Sequence, residues 1–192
     1  MGLAMTDATT ELKIVRYGHP ALRRKSAPVG RVTEEVEDLV ARMVGVMRTA
    51  AGVGLAANQV GLNRRIAVIE IEGNITPLID PEIISRKGSE ISDEGCLSLP
   101  RLFGEVERPA EVVVRARDFS GKWVKIRGEG LLARALCHEI DHLDGKLFID
   151  HVDDSTLHWL IRPQGDEEPL LQPTTRDEAL KVFANAYRDE GG

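Results

Sequence analysis

Apolar residues recur at Val36, Leu39, Val40, Met43, Met47 and Ala50. Steps of three and four mark a helix that buries one face, and Thr33 stands where an N-cap would. The pattern predicts an amphipathic helix from about 34 to 50. The next stretch, "AGVGLAANQVG" (51–61), is glycine-rich and is expected to interrupt regular structure. "RIAVIEI" (65–71) reads as a strand, and "TPLIDPEII" (76–84) as a strand with prolines at its margins. "EVVVRARD" and "WVKIRGE" flank "FSGK", which predicts a hairpin across 111–129. Helical spacing returns in "LLARALCHEIDHL" (131–143), with Gly145 placed to close it as a left-handed cap. Thr175 and Glu178 form a capping box for a last helix to about Tyr187. Strands and helices are interspersed without regular βαβ alternation. The expected fold class is α+β, with mixed or antiparallel sheets packed around the central helix 131–143.

At 192 residues the chain suits one core and is short for two. The first ten residues are small and polar and are expected to be disordered. Residues 11–152 form the expected domain. Residues 153–192 read as an acidic extension with a short terminal helix; Pro163, Pro169 and Pro173 rule out one continuous helix there. The formal net charge of −6 argues against nucleic acid as the main partner. No apolar run is long enough to span a bilayer, and the first twenty residues lack the apolar stretch of an export signal. Gly2 and Thr6 match a loose myristoylation pattern, but no polybasic stretch follows to supply a second anchor. Two cysteines are too few for a disulfide framework at this size. A cytoplasmic protein is expected, with no membrane and no specific nucleic acid among its partners.

The segment "ALCHEIDHLDG" (135–145) holds His138 and His142 four positions apart, with Glu139 between them. Residues four apart on a helix lie about 40° apart around its axis, so the two imidazoles can share one cation. Glu139 lies about 100° round from His138, too far for an easy third ligand but near enough to reach a water on the metal. That arrangement suits metal-assisted hydrolysis. The metal lowers the pKa of its water, and the carboxylate takes the proton and later delivers it to the leaving group.

Two imidazoles hold a metal poorly, so a third ligand is required. The zinc-protease pattern with a third histidine fails, because position 148 is Phe148. A downstream glutamate is a poor choice, since Glu167 and Glu168 sit in the turn-like "GDEEP". Cys96 is better placed, in "SDEGCLSLP" (92–100), where Gly95 permits an unusual turn and Pro100 is expected to limit regular structure beyond it. An isolated cysteine is also suited to packing as a small hydrophobe. Cys137 adjoins His138 and points away from the imidazole pair, so it is assigned to packing. His19, His151 and His158 are read as surface or structural residues.

Together, "GVGLAANQVG" (52–61), "EGCLSLP" (94–100) and "HEIDHLDG" (138–145) resemble, in order and spacing, the three signature motifs of the peptide deformylases. The similarity extends from about residue 12 to 152. The resemblance implies that Cys96, His138 and His142 bind the metal and that Glu139 is the catalytic acid and base. It implies that the reaction removes the formyl group from the N-terminal methionine of new polypeptides, metal-bound water attacking the formyl carbon. Formamide hydrolysis passes through an oxyanion that needs donors in place. The Gln59 amide and the Leu97 backbone N–H match the family positions with that role, although Gln59 alone would pass for a surface-loop glutamine.

The glycines of "GVGLAA" let a peptide approach the backbone, with Gly54 the first candidate contact. Val53, Leu131 and Ala135 are candidates for a methionine pocket by position in the family pattern, and could equally be core residues. The resemblance implies Fe2+ as the usual cofactor, one per chain, with Zn2+, Ni2+ or Co2+ able to replace it. Two imidazoles and a thiolate would by themselves suit Zn2+. N-formyl-methionyl nascent polypeptides are the implied partners, and a transient ribosome contact is left open, though not through the acidic C-terminal end.

Overall fold

Four consecutive apolar residues, Ile66, Ala67, Val68 and Ile69, are all buried, and what covers each side of them sets the layers of the molecule. The computed structural model describes residues 11–162 and 168–189. The run lies in strand β2 (Ile66–Ile71), between β1 (Gly54–Ala56) and β3 (Asn74–Lys87). Successive residues of a strand face opposite ways. Ile66 and Val68 therefore join the core made with helix α1 (Glu34–Thr49), while Ala67 and Ile69 join the core made with helix α2 (Gly130–Leu143). A strand covered on both faces reads as an unbroken apolar run.

Strands β6 (Glu111–Arg117) and β7 (Trp123–Glu129) complete a five-stranded sheet in the order β1-β2-β3-β6-β7. A second sheet has the order β4-β5-β8-β9, from β4 (Glu90–Cys96), β5 (Leu99–Arg108), β8 (His158–Ile161) and β9 (Leu170–Pro173). All the described pairings are antiparallel. The expected α+β class is therefore the observed one, with the sheets antiparallel rather than mixed.

Helix α1 spans the predicted residues to within one, and Met43 and Met47 on its buried face are wholly enclosed. Burial of such a side chain contributes about 1.5–3 kcal/mol. Thr33 occupies the N-cap, but its hydroxyl makes no capping hydrogen bond. The 111–129 hairpin forms with Arg117 opposite Trp123. Helix α2 ends as predicted: Gly145 is left-handed at φ 77°, and its N–H donates to the His142 carbonyl at 3.0 Å. Thr175 and Glu178 exchange the two hydrogen bonds of a capping box at the start of α3 (Arg176–Asp189).

Four local expectations are corrected. The glycine-rich 51–61 stretch is not wholly irregular: Gly54–Ala56 is a strand paired with β2, and Ala57–Val60 is one turn of 3-10 helix. The strand expected over 76–84 runs from Asn74 to Lys87, because register shifts between Ile79 and Glu82 and between Ile83 and Ser85 absorb Pro81. Pro100 does not end regular structure, since β5 begins at Leu99 and runs through it. The register jumps where Gly95 pairs with Phe103 and Cys96 with Leu99. Pro100 sits in that bulge, where its missing N–H costs no ladder bond. Gly95 makes no unusual turn either; it lies within β4 with the Phe103 ring where a side chain would be.

The segment after residue 152 joins the body of the protein. Strand β8 pairs with β5, and Ala179 and Phe183 of α3 are buried in a third core with Leu22, Leu102, Val106 and Phe148. The first ten residues, with Gly2 and Thr6, and the rejected ligand candidate Glu167 lie outside the described residues.

Candidate metal centre

Two imidazoles from one helix and a thiol from another sheet meet beside a buried carboxyl group. His138 and His142 project from α2, which packs on the five-stranded sheet, and Cys96 is the last residue of β4 in the four-stranded sheet. Donor atoms of the three lie within 4.8 Å of one another, and Cys96 Sγ is 3.2 Å from His142 Nε2. A tetrahedral ion with bonds of about 2.0–2.3 Å needs its ligand atoms about 3.3–3.8 Å apart, so the group could close on a divalent cation with side-chain movements of about 1 Å. Soft sulfur and borderline nitrogen donors also suit a transition metal over Mg2+ or Ca2+.

Glu94, which the sequence reading passed over, orients the first imidazole. Its Oε2 is 3.0 Å from Nδ1 of His138, which leaves Nε2 as the ring nitrogen available to a cation. The carboxylate is held by two buried guanidiniums: Arg108 donates through Nε (2.8 Å) and Nη2 (3.0 Å), and Arg134 through Nη1 (2.9 Å). Burial alone would raise the pKa of Glu94. Hydrogen bonds from His138 and Arg108 outweigh it and bring the group down to about 2. Arg108 also donates to Asp141 at 2.5 Å, and Asp141 meets His151 at 3.2 Å. A local signal for Glu94 existed, because residues two apart on a strand share a face, which sets it beside Cys96.

Glu139 is 3% exposed and points the other way, towards β1. A side chain on Gly54 would run into its carboxyl group. Its Oε2 has no hydrogen-bond partner among the described residues. Burial, chiefly, pushes its pKa up to about 7, with His138 pulling the other way and Glu94 adding to the rise. Of the imidazoles, burial and the neighbouring His138 drive His142 well down. On His138 burial acts in the same sense, but Cys96 and Glu94 overcome it and raise its pKa.

Gln59 is buried in the 3-10 turn. Its Oε1 accepts from the Ala56 N–H at 2.8 Å, which turns its amide nitrogen towards Ser98 Oγ (3.3 Å) and Cys96 Sγ (3.5 Å). Leu97 follows Cys96 in the tight turn between β4 and β5, and its side chain packs with the α1 core. Asn58 donates to the His142 carbonyl and ties this turn to α2. Leu131, Ala135, His138 and His142 fall on one stripe of α2, at helical steps of four, three and four. Leu131 and Val53 are exposed, whereas Ala135 is buried.

The residues set aside in the sequence stay apart from this group. Cys137 is a free thiol buried in the α2 core, and Glu168 is exposed. His19 caps a 3-10 turn, His151 faces Asp141, and His158 stacks on Phe103.

A His-Glu-x-x-His helix completed by a thiol across the strand boundary defines a hydrolase of the metal-dependent class. The family model described as polypeptide deformylase matches residues 11–158. A peptide deformylase of Caldanaerobacter subterraneus subsp. tengcongensis is 50% identical over 139 residues, covering 72% of this chain and 87% of that protein. One from a Thermoanaerobacter species is 47% identical over 173 residues, covering 90% and 95%. Among solved structures, the peptide deformylase of Thermotoga maritima superposes with a TM-score of 0.73 at 36% identity, covering 75% of this chain and 99% of that one. A plant peptide deformylase gives 0.82 at 34% identity and covers 95% of this chain and 94% of that one. The chain belongs to the polypeptide deformylase family, hydrolases that act on N-formyl-methionyl peptides.

Proposed function

We propose that this chain removes the formyl group from the N-terminal formyl-methionine of newly made polypeptides. The observation that carries the reading is the meeting of Cys96, His138 and His142 within 4.8 Å, beside the buried Glu139. These three residues would hold the ion, which supplies Lewis acidity that lowers the pKa of water and polarises a carbonyl. We assign Fe2+ as the physiological ion, with Zn2+, Ni2+ or Co2+ able to replace it.

Glu139 acts as general base and then general acid. It takes a proton from the attacking water as the C–O bond forms, and returns it to the nitrogen as the C–N bond breaks, so that formate and a free amine leave. The Gln59 amide and the Leu97 N–H hold the developing oxyanion, a role supported by the fixed amide of Gln59. Gly54 offers its backbone to the peptide. Val53, Leu131 and Ala135 line the methionine pocket, a reading supported by the stripe that Leu131 and Ala135 share with the two histidines. The two free cysteines support a reducing cytoplasm as the place of work, where nascent chains are met, with at most a transient ribosome contact.

The test measures formyl release from a formyl-methionyl peptide against an acetyl-methionyl peptide and a generic protein substrate, with metal content followed in parallel. Rapid release of the formyl group alone is expected. Cleavage of the protein with the formyl group spared would overturn the proposal. Cys96→Ala should lose the metal, whereas Glu139→Ala should keep it and lose turnover by roughly 10²–10⁴.

A further inference from the structure

The centre is assembled across a boundary. Its imidazoles ride on a helix packed against one sheet, and its thiol ends a strand of the other. Whatever fixes α2 against the β4–β5 hairpin therefore sets the separation of sulfur from the imidazole nitrogens.

Arg134 spans that boundary. It is 8% exposed and stands one turn before His138 on the same face of α2. Its guanidinium lies over the β4–β5 ladder and reaches carbonyls on both strands. Nη1 donates to Ser92 O at 3.2 Å and to Val106 O at 2.9 Å, and Nη2 to Glu90 O at 3.0 Å. Those carbonyls can accept a second bond, since each has two lone pairs. Nη1 also reaches Glu94 Oε1 at 2.9 Å, the carboxylate whose other oxygen faces His138, so its two N–H groups are shared among three acceptors. One planar cation thus holds the helix, both strands and the orienting carboxylate. Charge adds to this: Arg108 and Arg134 both pair with Glu94, and loss of Arg134 leaves Arg108 as the one arginine shared by Glu94 and Asp141.

We propose that Arg134 is a positioning residue for the metal centre: it locks α2 to the β4–β5 hairpin so that Cys96 stays within bonding range of the ion held by His138 and His142. The inference rests on reading those three residues as the ligands. Lysine cannot replace it, because a single ammonium cannot span four acceptors in a fixed plane.

The test loads wild type, Arg134→Lys and Arg134→Met with Co2+. Transfer of the ion to a chromophoric chelator is timed, and the thiolate-to-cobalt absorption is recorded. Arg134→Lys keeps the charge and the stem, so it covers the case in which Arg134→Met fails to fold. In the folded variants release should quicken by roughly tenfold or more. The sulfur absorption should weaken, and the melting temperature should fall more for the Co2+-loaded protein than for the metal-free one. Wild-type release and absorption, with both forms melting equally lower, would make Arg134 a packing residue and overturn the proposal. A wild type that took up no Co2+ would overturn the metal reading itself, and this inference with it.

Discussion

Glu94 Oε2 lies 3.0 Å from Nδ1 of His138, so a carboxylate two residues before Cys96 decides which ring nitrogen of His138 is turned towards the proposed metal centre. Glu94→Gln removes the charge but keeps the shape, and leaves Arg108 and Arg134 facing a neutral group. Metal affinity should fall by roughly 10–100-fold. Stability should drop by about 3 kcal/mol, because breaking a buried ion pair strands its partners. Chelator competition and denaturant unfolding measure the two effects separately; unchanged metal affinity would refute the orienting role.

Gly54 stands where Glu139 leaves no room for a side chain. In Gly54→Ala the methyl group must push the carboxyl aside or spread β1 from α2. Under the role proposed for Glu139, turnover should fall by roughly 10²-fold, the cost of displacing a reacting group by about 1 Å. Metal content should be unchanged. Near-normal kcat in the purified variant would show that the carboxyl has other room to move.

Phe183 of α3 is 5% exposed and packs its ring 5.5 Å from Trp159 and 6.3 Å from Tyr17. Phe183→Ala should cost about 3 kcal/mol and lower the melting temperature, while formyl release well below that temperature stays intact. A C-terminal segment that merely trailed in solvent would give no change in melting.

Burial works to raise the pKa of Asp150, but hydrogen bonds from Arg23, at 2.5 and 3.1 Å, overcome it and hold the carboxyl below its ordinary 3.8. A group depressed in the folded state stabilises fully above its unfolded pKa and loses that contribution as pH falls through the folded one. Asp150→Asn should therefore be less stable than wild type at neutral pH. The gap should close as acid protonates the native carboxyl. Melting temperatures across a pH series check this, and a gap that stayed constant into acid would assign it to something other than charge.

Much of this arrangement is legible in the sequence. The spacing of His138 and His142, the capping box at Thr175 and the left-handed Gly145 are properties of short stretches, and local backbone geometry enforces them wherever the helix packs. The doubly buried β2 could be read from its unbroken apolar run. Cys96 was visible as a candidate because only two cysteines compete for the role and Cys137 sits on the wrong side of its helix.

What the sequence could not supply lies between segments. Nothing near Arg134 says that its guanidinium lies across a hairpin some forty residues earlier, and nothing near Pro100 says that a bulge will accommodate it. The acid and proline content after residue 153 suggested a solvated extension, yet β8 pairs with β5 and Phe183 enters the body of the protein. Periodicity records which face of an element is buried, so the chain by itself determined the helix that carries His138, Glu139 and His142 and the chemistry of its side chains. Only the tertiary structure brought a thiol from one sheet to imidazoles on a helix packed against the other, because that meeting is a contact between segments far apart in the chain.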